Sequence, residues 1–192
     1  MKKALLLKSA LALALAAPLL ASAESQLVVG TGSATARLDV QVIIPRVLFL
    51  AVGTGEAGTT TDPTIDTLTF DYTPTPAAVG SGIASAGQNV NVRVRGNNGQ
   101  IALTAATTGA LTNATADTIP WSEITVSSDQ VTLPTPTIPL TGTGAGSNVT
   151  LNTGKVTDRT AVWTYAYRNT AVVAPGTYGT TNGRVTYTAS MP

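Results

Sequence analysis

The chain has 192 residues, 11 basic and 10 acidic, and contains neither cysteine nor histidine. That excludes zinc sites built from Cys and His, a disulfide framework and the usual nucleophile–histidine triads, and it removes the commonest general base. Threonine and glycine are abundant while good helix formers are scarce beyond the first residues, which is an all-β composition.

Residues 1–23 read as an export signal. Lys2, Lys3 and Lys8 form a basic start, Ala10 to Leu20 an apolar stretch, and Ala21-Ser22-Ala23 a small-residue cleavage site. The apolar stretch is shorter than the roughly 20 residues a membrane span needs. Cleavage after Ala23 leaves eight basic against ten acidic residues, a net charge of −2. Lys155 and seven scattered arginines make no basic patch, so neither nucleic acid nor nucleotide is an expected partner.

After a short Gly-containing stretch, Ala34 to Ile44 alternates. Ala36, Leu38, Val40, Val42 and Ile44 share one face, and Arg37, Asp39, Gln41 and Ile43 the other, the period of a half-buried strand. Pro45 breaks the run. Val47 to Val52 is almost unbroken apolar sequence, which predicts a strand covered on both faces. Leu68, Phe70 and Tyr72 alternate with polar residues and predict a third strand.

Val90, Val92 and Val94, then Asn98-Gly99, then Ile101, Leu103 and Ala105 predict a β-hairpin with a two-residue turn, Val94 opposite Leu103 and Val92 opposite Ala105. Ile119 to Ser127, Gln130 to Leu133, and Val149 with Leu151 predict short strands. Pro134, Pro136 and Pro139 mark a sheet edge or a crossing between sheets. Thr160 to Arg168 and Arg184 to Met191 alternate again. Seven to ten short strands with regular turns argue for a sandwich.

Chemistry-bearing motifs are sparse. Gly53-Thr54-Gly55-Glu56-Ala57-Gly58 has dinucleotide-loop spacing, but Thr59 to Pro63 is a poor helix start. Thr153-Gly154-Lys155-Val156 lacks the rest of a phosphate loop. Asp62, Asp66 and Asp71 lack calcium-loop spacing. The chain therefore reads as non-enzymatic, with no cofactor and no metal. Trp121 and the stripe Trp163, Tyr165 and Tyr167 remain as candidate sugar-stacking aromatics, set against the plainer reading that such stripes pack a core.

Val173-Ala174-Pro175-Gly176-Thr177-Tyr178 and then Gly183-Arg184-Val185-Thr186-Tyr187-Thr188-Ala189-Ser190 resemble the closing strands of chaperone–usher-type pilus subunits. The resemblance is to the archaic, spore-coat-U-like group, where a Pro-(Ala)-Gly-Thr-Tyr turn precedes an alternating Val/Thr/Tyr strand. Many such subunits carry a disulfide; this chain cannot. The resemblance implies an immunoglobulin-like antiparallel β-sandwich lacking one strand and completed by a neighbour's donor strand. It implies residues 24–44 as an N-terminal extension and 45–192 as the sandwich domain. Ala36, Leu38, Val40, Val42 and Ile44 would then be the inserted side chains. The partners it implies are identical or related subunits in a head-to-tail polymer, a periplasmic chaperone and an outer-membrane usher. The location is the periplasm in transit, then a cell-surface filament.

Two other readings stay open. Ala34 to Ile44 is equally readable as the domain's own first strand, and the tryptophans suit a monomeric surface module that binds carbohydrate. An outer-membrane barrel fits less well, because the strands are short, proline-rich and without aromatic girdles.

Overall fold

A computed structural model describes residues 24–55 and 61–192. The export signal and half of the Gly53–Gly58 motif, residues 56–58, lie outside the described residues. The chain divides between Ile44 and Pro45 into two units.

In the second unit, β-branched and aromatic residues at alternate positions build ten strands. They are β1 (Leu48–Val52), β2 (Gln88–Gly96), β3 (Ile101–Thr107), β4 (Leu111–Thr112), β5 (Thr118–Ile119), β6 (Ile124–Ser128), β7 (Gly142–Thr143), β8 (Ser147–Val149), β9 (Thr157–Tyr167) and β10 (Thr186–Ser190). One sheet runs β1-β2-β9-β6. The other runs β10-β3-β7, with β8 also on β3, and β4 pairs with β5. Every pairing is antiparallel. No helix among the described residues is long and apolar enough to cross a membrane.

The fold is thus an all-β sandwich. Its first sheet has the A-B-E-D order of an immunoglobulin sandwich, and β3 with β10 supply C and F of the second. The place of G, on the outer side of β10, holds no strand among the described residues.

Three predicted elements fold differently. The 90–105 hairpin does not form, because β2 and β3 lie in different sheets. A type I′ turn needs positive φ at both central residues, and here Gly99 has it (99°) while Asn98 does not. Val94 and Leu103 still belong to one core, but from opposite sheets. Splitting them buries both apolar faces, whereas a hairpin within one sheet would leave that shared face wanting a cover. Residues 67–72 form no ladder. Leu68 and Phe70 pack on the core, while the Thr69 carbonyl accepts from the Gln88 amide at 2.6 Å. Residues 130–133 turn rather than extend, dropping Leu133 into the core.

β1 is also not covered on both faces. It is an edge strand, paired only with β2 and half-buried along most of its length. The proline-rich stretch after β6 does cross between sheets, carrying the chain to β7.

Trp163 is the largest fully buried side chain. Around it stand Val92, Val94, Ile101, Leu103, Leu133 and Val149. Its indole N–H donates to the Leu133 carbonyl at 3.3 Å, so the one polar atom of the ring is not stranded.

The Pro175-Gly176-Thr177-Tyr178 turn joins β9 to β10. There the Tyr178 hydroxyl donates back to the Ala174 carbonyl at 2.8 Å, the bond of a tyrosine corner at an E–F connection. Gly176 is required by close approach, since a Cβ there would lie 2.9 Å from Asn113 Nδ2. Nearby, buried Asn169 takes a left-handed φ of 56°. Its amide accepts from Gly80 N at 2.7 Å and donates to the Ala78 carbonyl at 2.6 Å, tying the 76–83 loop to the end of β9. Glu123, mostly buried, accepts from the Thr170 hydroxyl and from its amide. The Thr170 hydroxyl is the main reason the Glu123 carboxyl titrates below its usual range.

Two expectations follow. Tyr178→Phe should lower the unfolding free energy by about 1 kcal/mol, the net value of one hydrogen bond, read from the urea midpoint at unchanged slope. Because the folded-state pKa of Glu123 is depressed, its contribution is fully present above the ordinary carboxylate value of 4.5 and is lost as pH falls through the folded value. Glu123→Gln should therefore lose stability at pH 7 and show a shallower fall than the wild type in urea titrations between pH 5 and pH 3.

Candidate subunit interface

β10 alternates Thr186, Tyr187, Thr188, Ala189 and Ser190, so Tyr187 and Ala189 turn inward and the threonines outward. On one side it pairs with β3, Tyr187 opposite Ala105 and Ala189 opposite Leu103. On the other side its backbone has no strand partner among the described residues. The inward side chains are therefore only half covered. Tyr187, Ala189 and Met191 pack on the core without being buried in it, as do Leu50 and Val52 of β1. These five partly buried side chains line one apolar edge of the sandwich, the candidate cleft.

The cleft has a firm floor. The rings of Trp163 and Tyr187 meet edge-on at 5.2 Å, and the hydroxyls of Tyr165 and Tyr187 lie 2.8 Å apart in a hydrogen bond. Burial pushes both phenols above the ordinary tyrosine range, and the pair serves as packing with a satisfied polar tip.

At one end of β10 the two sheets close together. A Cβ on Gly96 would stand 2.8 Å from Ile101 Cδ1 and 3.3 Å from Met191 Sδ, which is why glycine sits there. Arg46 Nη2 donates to the Met191 carbonyl at 2.7 Å. Asn97 clamps the chain just after the unit boundary. Its Oδ1 accepts from Val47 N and its Nδ2 donates to the Pro45 carbonyl, each at 2.8 Å. The point at which residues 24–44 leave the sandwich is thereby held beside Met191.

The alternating segment itself carries no ladder. Leu38, Val40, Val42 and Ile44 are each more than three-quarters exposed, and Ala36 is exposed as well. Five side chains of the kind that drive burial are thus left in solvent. Residues 34–44 form no strand among the described residues.

Trp121, Trp163, Tyr165 and Tyr167 are all buried. The Trp121 indole donates to the Gly109 carbonyl at 2.7 Å. Tyr167 packs against Phe70 and, edge-on at 5.9 Å, against Tyr72. With their faces covered, none of the four offers a surface on which a sugar ring could stack. The aromatic stripe lies inside because it belongs to β9, which has a neighbour on both sides. Among the described residues no three His, Cys, Asp or Glu side chains converge as metal ligands.

Sequence reasoning did not single out the cleft wall of Leu50, Val52, Tyr187, Ala189 and Met191. Alternation signalled an inward face on each strand, but not that β10 has one neighbour where a core strand has two. Asn97 was legible only as a turn residue.

Asn97→Ala should leave the fold intact and lower its stability by about 1–2 kcal/mol, since it strips two side-chain bonds from the root of the extension. Amide hydrogen exchange should report faster exchange at Val47 than at core positions in the same variant.

No protein-family model matches the chain, and no curated protein matches it.

Proposed function

We propose that this chain is a non-enzymatic structural subunit of an extracellular, pilus-like filament. Each copy donates residues 34–44 to the open edge of the next copy's sandwich. One observation carries the reading: the chain holds both an unpaired strand-patterned segment and, in its own sandwich, a strand with an empty side.

The two halves are chemically matched. Alternate apolar side chains suit a cleft of alternate apolar side chains, and extended backbone suits the free N–H and C=O groups of β10. Burying each of Leu38, Val40, Val42 and Ile44 is worth about 1.5–3 kcal/mol before the costs of association.

The geometry also favours a neighbour's segment over the chain's own. The extension is rooted beside Met191, so laid along its own β10 it would run parallel to it. A neighbour's segment can run antiparallel, the sense of every pairing in the sandwich and the slightly more stable one. Because one copy's donor fills another's acceptor, the contact does not close, and repetition yields a fibre. Before a neighbour arrives, the exposed edge invites aggregation. That argues for a periplasmic chaperone and an outer-membrane usher as partners during export to the cell surface.

Material sheared from cells should give a ladder in SDS that boiling collapses to monomer, and thin fibres by negative-stain electron microscopy. Val40→Asp should abolish both, because a carboxylate cannot be left unpaired in an apolar cleft. A boiled-like monomer band and no fibres from the wild type, or an undiminished ladder from Val40→Asp, would sink the proposal.

A further inference from the structure

Residues 24–37 are not a loose tail. The Arg37 guanidinium grips Glu24 with two parallel bonds, Nε to Oε2 at 2.8 Å and Nη2 to Oε1 at 3.0 Å. Two positions further in, Thr35 N donates to Gln26 Oε1 at 3.1 Å. Both pairs keep one antiparallel register, 24 opposite 37 and 26 opposite 35. The loop closes through a bend at Gly30–Gly32, where Gly30 has φ 107°.

That register sorts the side chains. Glu24, Gln26, Thr35 and Arg37 take one side. Carried one step inward, that register sets Leu27 against Ala34, and period-2 alternation of extended backbone puts Leu27 and Val29 on the other side, with Ala36, Leu38, Val40, Val42 and Ile44. Leu27 is 88% exposed and Val29 90%. An apolar face therefore runs from the clasped loop along the whole alternating segment, the contiguous kind of exposure that marks an interaction site.

We infer that the clasped loop is a second docking element, and that its occupant is the Val47–Leu48 root on the next copy of this chain; this rests on the strand-donation reading. Leu38 to Ile44 is seven residues, and so is the stretch Val185 to Met191. Laid antiparallel, Ile44 falls at Val185 and Leu38 at Met191, and the clasp emerges just past Met191. There Val47 and Leu48 stand 42% and 39% exposed, held at that spot by the Arg46 bond to Met191 and the Asn97 bonds to Pro45 and Val47. Leu27 and Val29 cover them.

The clasp also supplies something the alternating segment lacks. Leu38, Val40, Val42 and Ile44 are so alike that a slip of two residues keeps every apolar side chain facing inward. A closed loop is thicker than one strand and halts the insertion at Arg37, which sets the register between copies.

The chain has no cysteine, so a pair of them reports one contact. Leu27→Cys with Leu48→Cys, assembled on the cell surface and mildly oxidised, should give a ladder that survives boiling in SDS without reductant and disappears with it. Each single variant should give no rung above a dimer. If the double variant forms the wild-type heat-labile ladder but boils to monomer without reductant, the clasp is not docked and the inference falls while strand donation stands. If the wild type forms no ladder at all, strand donation fails, and the inference with it. Should the double variant not assemble, Arg37→Glu decides. It should lower the temperature at which the ladder collapses by roughly 5 °C, and adding Glu24→Arg should restore it. An unchanged collapse temperature overturns the inference.

Discussion

A β-strand satisfies its backbone on two sides, and among the described residues β10 has a partner on one. The consequence reaches past the unpaired N–H and C=O groups, because a missing neighbour also removes the side chains that would have lain over Tyr187, Ala189 and Met191. The edge is wet, apolar and shaped by alternation at once. Beside that edge Arg46 binds the Met191 carbonyl, and Asn97 holds Pro45 and Val47.

Rigidity is obtained without a disulfide. Trp163 fills the middle of the sandwich with its N–H satisfied, and it supports Tyr187 from below while Tyr165 fixes the phenol. Tyr187 is thus held in place although one side of its strand is open. The turn leading to β10 is braced as well, by the Tyr178 bond to Ala174 and by the contact of Gly176 with Asn113. Together these contacts support the inward face of β10 and the turn that leads into it.

The structure divides the aromatic residues and the aliphatic ones in opposite ways. The tryptophans and the β9 tyrosines, which from the sequence suit either a sugar platform or a core, are core. The aliphatic alternation of residues 36–44, which suits either a domain strand or a donor, is left in solvent in a separate unit. Ring stacking therefore has no surface among these four aromatics.

Much of the architecture was written locally. Threonine and glycine content dictated an all-β chain, and the alternation in 160–168 and 184–191 marked most of β9 and all of β10 because period 2 is a property of the strand itself. The break at Pro45 was equally local, since proline lacks the donor a ladder needs. What only the tertiary structure decided were the relations between strands. Asn98-Gly99 looked like a hairpin turn, but turn chemistry does not say whether two flanking strands share a sheet or face each other across a core, and here burying both inner faces prevailed. The alternation of 67–72 was real without a ladder, because packing can use a pattern that hydrogen bonding does not. The empty side of β10 was invisible for the same reason: a strand's neighbours are set by the order in which the whole chain returns to the sheet, and no residue within β10 encodes how many it has.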